Sequence, residues 1–273
     1  MADVTRPGPT VRVKATISTP EGDRVVEDRV AAEEPLELRL ASPGQPASRA
    51  WVTLRTPGHD FELAAGWVVH EGLARPDEVA RVAYCTDEDL SPEQAYNVVT
   101  VTCAVPVVAP HRHDSFGSGS AACGVCGKDS LEAAMTVPRG PRWSGTLPAA
   151  SVIRELPEVL RSRQPAFDLT GGIHAAGAFD AQGRALVVRE DIGRHNAVDK
   201  VTGARVLAGD ASPAPLLVLS GRAGFELVQK AVTAGYAGVV SVGAASSLAV
   251  ALAEQAGVAL WGFTRPDRCV RYC

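Results

Sequence analysis

The 273-residue sequence contains no apolar run long enough to cross a membrane as a helix. Its first ten residues, MADVTRPGPT, also lack the apolar core of a signal peptide. We therefore expect a cytoplasmic protein without a membrane span. Because that compartment is reducing, its six cysteines are expected as metal ligands, catalytic thiols or incidental thiols before disulfides.

Lysine is scarce, since only Lys14, Lys128, Lys200 and Lys230 accompany the arginines. The net charge of −4 argues against a surface that binds nucleic acid, although a local anion site is compatible with it. A hydrophobic content of 46% and a charged content of 21% are typical of a soluble globular protein. This length predicts one or two domains.

The sequence also lacks the metal-binding pattern of a zinc nucleotide deaminase. That chemistry requires His-x-Glu followed by Pro-Cys-x-x-Cys. None of the six histidines has Glu two residues later, and Ala122 stands where the proline would precede Cys123. Deaminase chemistry is therefore disfavoured.

A pair of cysteines, Cys123 and Cys126, stands near the middle of the chain in the motif Cys-Gly-Val-Cys. It follows a stretch rich in glycine and serine at 114–120, which predicts a reachable pair. Lys128 and a helix predicted at 129–135 favour a thiolate. The pair could bind zinc together with Cys103, His111 or His113, cycle as a disulfide, or carry sulfur.

The first half of the chain predicts an α+β domain, which we place at 10–137. Alternating apolar residues predict strands within 11–56, at 78–85 and at 95–105. Asp60 is expected to cap a helix that ends near Gly72. A linker at 138–142 separates this domain from a C-terminal domain at 146–273.

The second half begins with a helix predicted from Leu147 to Arg163, which Pro157 should end or kink. Apolar strands and helices then alternate. Such runs are expected when helices cover both faces of a sheet, so we predict a three-layer α/β/α domain with a largely parallel sheet. The strands are predicted at 184–190, 215–220, 238–244 and 258–263, and the helices at 196–209, 225–235 and 247–257.

Polar residues follow each of these strands, at 190–196, 220–224, 243–247 and 264–268. In parallel α/β sheets, ligands bind beyond the carboxyl ends of the strands. We expect a rim suited to phosphates, where Arg265 can also stack on a flat base. The arginines expected on this rim are Arg194, Arg222, Arg265 and Arg268, the last two beyond the final strand.

Two histidines are candidate ligands or acid–base groups. His174 belongs to a glycine-rich turn at 170–174, expected before the first strand of this half, and His195 belongs to the first of the four loops. The alternative is structural. Arginine and serine at loop starts also serve as caps and solvated surface, and a single histidine is commonly a structural residue.

Several stretches together resemble the FdhD/NarQ family, the sulfur carriers required for formate dehydrogenase activity. The resemblance extends from about Leu36 to Arg268, and the block at 189–200 is its most specific part. The matching stretches are 123–127, 170–176, 189–200, 220–223, 228–230, and 262–263 leading into Arg268.

This resemblance implies that Cys123 accepts sulfur as a persulfide from a cysteine desulfurase, with Cys126 as its partner. The sulfur would then pass to a molybdenum bis(molybdopterin guanine dinucleotide) cofactor, Mo-bis-MGD, destined for formate dehydrogenase. It also implies a homodimer, no resident metal, and a C-terminal domain that is cytidine-deaminase-like. GDP is the expected mimic of the cofactor, whose binding segment would be Phe263, Thr264, Arg265, Pro266, Asp267 and Arg268.

Two features depart from the family pattern. The chain ends with the atypical segment 269–273, and Pro266 and Asp267 stand in a turn where the family often has glycine. Pro266 removes one N–H that could meet a phosphate. The alternative function is a non-catalytic chaperone that binds the cofactor and holds a structural zinc at its cysteines.

Overall fold

The computed structural model describes residues 6–87, 90–91, 94–108, 140–141, 143–210 and 212–273. Cys123 and Cys126, the loop before them and the helix predicted at 129–135 lie outside the described residues.

The chain begins with an antiparallel two-stranded ribbon, formed by β1 (Thr10–Thr19) and β2 (Gly22–Ala31). A mixed four-stranded sheet follows, in the order β4-β3-β6-β5. Its strands are β3 (Glu34–Ser42), β4 (Gln45–Arg55), β5 (Val79–Tyr84) and β6 (Val98–Cys103). Because Cys85 follows β5 directly, its prediction as a strand residue is wrong by one position.

Helix α1 (Asp60–His70) packs its apolar side against this sheet, and a 3-10 turn at Pro76–Glu78 leads back into β5. Alternate residues of β3 and β6 point towards the helix, which is the period-two burial expected of a sheet covered on one face. The core between sheet and helix includes Leu36, Leu38, Leu40, Leu63, Trp67, Val68, Val99 and Val101.

The second half forms a six-stranded sheet in the order β12-β11-β10-β9-β7-β8. Its strands are β7 (His174–Phe179), β8 (Ala185–Asp191), β9 (Leu216–Leu219), β10 (Gly238–Ser241), β11 (Ala259–Arg265) and β12 (Arg268–Arg271). Its helices are α2 (Ala150–Arg161), α3 (Pro165–Thr170), α4 (Arg194–Leu207), α5 (Phe225–Thr233) and α6 (Ser247–Ala256).

Helices cover both faces of this sheet, as the continuous apolar strands indicate. On one face, Ile153, Leu156 and Leu160 of α2 pack against Phe179 and Trp261. On the other face, α4, α5 and α6 enclose the largest cluster of buried side chains. Pro157 does not end α2, which continues to Arg161.

The prediction of a largely parallel sheet is wrong, because the sheet is mixed. Only β9, β10 and β11 are parallel neighbours, while β8, β7 and β12 pair in antiparallel fashion. Two strands were missing from the sequence prediction. β7 consists mainly of alanine and glycine, a weak strand signal, and β12 is only four residues long. The domain boundaries and the deaminase-like topology stay predictions.

Polar contacts join the two halves. Glu62 of α1 accepts two hydrogen bonds from Arg189 of β8, at 2.5 and 2.8 Å. Deeper inside, the carboxylate of Asp199 in α4 lies 2.5 Å from both His70 Nδ1 and Lys230 Nζ.

Across the described part of the chain, no helix combines the length and apolarity needed to span a membrane.

Candidate ligand-binding cleft

All six strands of the large sheet have one end at the same side of the sheet. β8, β9, β10 and β11 end there, and β7 and β12 begin there because each runs antiparallel to its neighbours. The loops beyond these ends bond to one another: Gly243 N–H donates to the Gly221 carbonyl at 2.9 Å, and Phe263 N–H donates to the Gly243 carbonyl at 2.9 Å. The strand ends therefore form one continuous rim.

A cleft of about 740 Å³ opens beside this rim. Its volume lies within the range of small-molecule and cofactor sites. The sheet contributes His174, Ile192, Ser220, Val242, Thr264, Arg265, Pro266 and Asp267. The opposite wall consists of Pro157, Glu158, Leu160, Arg161, Gln164, Phe167, Gly171, Gly172 and Ile173.

The opposite wall is fixed to the sheet at two places. Glu190, near the end of β8, accepts hydrogen bonds from the backbone N–H groups of Ala166 and Phe167 at 2.9 and 2.8 Å. These are free N–H groups of the first turn of α3, which a carboxylate satisfies well. From α2, Arg154 Nε donates to the carbonyl of Pro266 at 3.1 Å. The two walls are therefore held in register.

Two buried polar side chains line the cleft, and one of them has no hydrogen-bond partner among the described residues. Thr264 is fully buried, and its Oγ1 has no hydrogen-bond partner among the described residues. Gln164 has only 3% of its surface exposed, although it lines the cleft. An unpaired buried polar group costs free energy, and a bound ligand can remove this cost by supplying its own donors and acceptors.

His174 begins β7 at the rim, with its ring against the backbone of Gly221. A Cβ placed on Gly221 would lie 3.4 Å from the ring, which is an ordinary van der Waals contact, so the imidazole lies close beside this residue. Burial lowers the pKa of His174, and the positive charge of Arg194 lowers it further. The ring is therefore neutral at pH 7 and can accept a proton or a hydrogen bond.

The segment at 263–268 comprises the end of β11, the tight turn at Pro266 and Asp267, and the start of β12. Phe263 has a positive φ of 48°, which is uncommon for a bulky residue, and the pairing of β11 with β12 shifts register there. The guanidinium of Arg268 lies 5.8 Å from the Phe263 ring. Arg265 ends β11 in the cleft wall and makes no ion pair among the described residues. The expectation that Arg265 and Arg268 lie beyond the final strand is wrong, because they close a hairpin.

Several polar residues of the block at 189–200 take part in a buried ion pair and in buried hydrogen bonds. Lys200 Nζ lies 2.6 Å from Asp191 Oδ2, and both side chains are essentially inaccessible. Asp191 also accepts hydrogen bonds from the backbone N–H groups of Thr56 and Gly193 and from the Asn196 amide. These bonds fix the loop between β8 and α4, which supplies Ile192 to the cleft.

The structure brings half of the ten proposed cofactor-binding residues to the cleft wall. His174, Thr264, Arg265, Pro266 and Asp267 line it. The lining does not include the other five. Arg194 and His195 begin α4, where His195 Nε2 lies 2.9 Å from Glu226. Arg222 lies against Gly243, and the guanidinium of Arg268 lies over the exposed ring of Phe263.

The sequence prediction missed the wall formed by α2 and α3. Gln164, Arg161 and Phe167 have no local motif that marks them, since their position depends on how α2 lies on the sheet. Of this wall, the sequence predicts only the glycine-rich turn that contains Gly171 and Gly172. The catalytic candidates Cys123 and Cys126 lie outside the described residues.

Comparisons with known proteins agree on one family. Residues 31–273 match the model of the FdhD/NarQ family. A protein named sulfur carrier protein FdhD from Nocardia farcinica is 45% identical over 262 residues, covering 94% of this chain and 91% of its own length. Its namesake from Mycolicibacterium paratuberculosis is 46% identical over 247 residues, 88% of each chain.

The fold matches a solved structure as well. It is the crystal structure of a protein from Desulfotalea psychrophila proposed to be a formate dehydrogenase accessory protein. The TM-score is 0.74 at 25% identity, and the match covers 97% of each chain. Fold and cleft thus define a mixed α/β protein with a cleft beside its strand ends. The chain belongs to the FdhD/NarQ family.

Proposed function

We propose that this protein is a cytoplasmic sulfurtransferase that carries sulfur from a cysteine desulfurase to Mo-bis-MGD, for use by formate dehydrogenase. The observation that carries this proposal is the cleft at the strand ends, in a chain 45% identical to proteins named sulfur carriers. Mo-bis-MGD is a substrate here. Its two guanine nucleotide ends are flat bases with phosphates, which GDP mimics.

The chemistry of the cleft supports a guanine nucleotide as the ligand. Arg265 supplies a positive charge for a phosphate, since guanidinium pairs well with phosphate oxygens. Gln164 and Thr264 offer an amide and a hydroxyl to the polar edge of a base. Phe167 and Ile173 supply apolar contact surface in the same cleft.

The proposed sulfur transfer uses Cys123 as the nucleophile. Its thiolate attacks the outer sulfur of the desulfurase persulfide, and the bond between the two donor sulfurs breaks. The donor cysteine leaves as a thiolate, and Cys123 becomes a persulfide. Cys126 either shares the sulfur or forms a disulfide with Cys123 that releases it. The carrier acts as a homodimer.

Intact mass spectrometry tests this proposal. After incubation with a cysteine desulfurase and free cysteine, the protein should gain the mass of one sulfur atom, which dithiothreitol removes. Cys123→Ser should abolish the gain, while the matched variant Cys85→Ser should retain it. If Cys123→Ser and Cys126→Ser both still support formate dehydrogenase activation at the normal rate, the protein is a cofactor-binding chaperone instead.

A further inference from the structure

The ribbon formed by β1 and β2 has one apolar face and one charged face. In an antiparallel pair, residues directly opposite each other share a face. The cross-strand pairs Val11–Val30, Val13–Asp28, Ala15–Val26 and Ile17–Arg24 therefore lie on one side. We call this side the apolar ribbon face. The opposite side carries Arg12, Lys14, Asp23, Val25, Glu27 and Arg29.

Most of the apolar ribbon face is exposed in the described structure, and only its central pair, Ala15 and Val26, is partly buried. Val11 is 47% exposed, and Val13, Ile17 and Val30 are each 37% exposed. The ribbon pairs with neither of the other sheets, although its strands lie against α3. Since a two-stranded ribbon is marginally stable in water, a long one with an open apolar face favours a partner that covers it.

The charges on this face are arranged so that the face complements itself. Arg24 and Asp28 stand two residues on either side of Val26, and Val13 and Ile17 stand two residues on either side of Ala15. Two such ribbons can pack face to face about a two-fold axis that lies between them. If this axis runs perpendicular to the strands at the Ala15–Val26 pair, it places Arg24 opposite Asp28 of the second copy, and Val13 opposite Ile17 of that copy.

The two charges have no alternative partner in their own chain. Neither Arg24 nor Asp28 makes an ion pair among the described residues, and Asp28 accepts only the backbone N–H of Arg29. Four residues along one strand separate them by about 13 Å, too far for a salt bridge. Their spacing is thus suited to contact between copies.

We infer that the apolar ribbon face is the dimer interface of this protein, with a second copy of the chain as its occupant. This inference locates the interface of the homodimer that the proposed function includes. It depends on the homodimer alone and on no other part of the proposed function. Two ribbons packed face to face form a small two-layer sheet core, in which each ribbon covers the other. Because β1 and β2 lie against α3, the interface stands next to one wall of the cleft.

Analytical ultracentrifugation of the full chain tests the inference with a matched pair of variants. Val13→Asp places a charge on the apolar ribbon face and should raise the dimer dissociation constant at least about ten-fold. Val25→Asp makes the same chemical change on the opposite face, where Val25 is 73% exposed, and should leave the constant unchanged. Circular dichroism melting checks that both variants fold.

A charge-reversal cycle supplies the second measurement. Arg24→Asp and Asp28→Arg should each weaken the dimer, and the double variant should recover most of the affinity, because the swapped charges again face each other across the two-fold axis. A monomeric wild type, equal effects of Val13→Asp and Val25→Asp, or no recovery in the double variant would overturn the inference. Sulfur loading by intact mass is read independently, so failure of the interface does not imply failure of the proposed function.

Discussion

Gly66 of α1 lies directly against the backbone of Asp199 in α4. A Cβ placed on Gly66 would come 1.9 Å from the Asp199 carbonyl oxygen, and one placed on Gly203 of α4 would come 1.7 Å from the carbonyl oxygen of Glu62. Each glycine thus faces the backbone of the other helix. The two halves of the molecule meet at a crossing that tolerates no side chain.

We expect Gly66→Ala to destabilise the protein by about 1–3 kcal/mol or more, because a backbone must move to admit the methyl group. Urea unfolding followed by circular dichroism measures the change. Gly8→Ala is the matched control, since a Cβ there meets no atom within 4 Å. Equal stability of the two variants would contradict the close crossing.

Removing the ammonium of Lys230 should be strongly destabilising. Asp199 is fully buried, and although burial works to raise its pKa, the charge of Lys230 and the hydrogen bond from His70 outweigh it and lower the pKa. Breaking such a buried pair typically costs about 3–5 kcal/mol. Lys230→Met should therefore lose stability on this scale in urea unfolding, whereas the exposed control Arg163→Met should stay close to wild type.

The ion pair between Glu62 and Arg189 should make the free energy of unfolding vary with pH in the acid range. Burial works to raise the pKa of Glu62, but hydrogen bonds from Arg189 and His59 dominate and lower it from 4.5 to about 2. The pKa of Glu62 is lower in the folded protein than in the unfolded protein. Ionised Glu62 therefore stabilises the fold fully above its unfolded pKa, and this stabilisation is lost as the pH falls towards about 2.

This dependence can be measured as the difference in unfolding free energy between wild type and Glu62→Gln. The difference should be constant from pH 7 to pH 5 and shrink as the pH falls from about 4.5 to about 2. Glu155→Gln, at an exposed position of α2, should show a much flatter profile. A difference that grows on acidification would show that the ionised Glu62 does not stabilise the fold.

Arg265→Ala should weaken the binding of GDP by roughly ten- to a hundred-fold, since one charge-assisted phosphate contact contributes about 1.5–3 kcal/mol. Arg268→Ala should have a smaller effect, because Arg268 lies over the ring of Phe263 and does not line the cleft. Titration calorimetry on both variants measures the affinities. Unchanged affinity in Arg265→Ala would move the nucleotide away from this cleft.

The thiols should differ in their reaction with iodoacetamide. Cys103 is 1% exposed in β6, and burial raises its pKa, so both access and thiolate content are low. We expect Cys103 to react only after unfolding, and Cys123 to react fastest. Peptide mass mapping at timed intervals measures the order. Rapid labelling of Cys103 in the folded protein would indicate that β6 opens locally.

The sequence by itself determined most of the elements and the edge at which the site lies. Continuous apolar runs predicted β8 to β11, and the polar residues after them predicted a rim. The structure builds this rim from the loops at Gly221 and Gly243 and from Phe263 near the end of β11. Local patterns suffice here, because strand burial and loop polarity follow from nearest neighbours in sequence. The family, too, could be identified from short stretches.

Only the tertiary structure decided which predicted residues share the cleft. Arg265 enters its wall while Arg268 and Arg222 do not, because the β11–β12 hairpin and the loop after β9 turn their side chains differently. Gln164 and Phe167 become cleft residues only when α2 packs across the sheet. Likewise, the alanine-rich β7 becomes a strand because its neighbours β8 and β9 complete its hydrogen bonds, a long-range effect that local propensity does not contain.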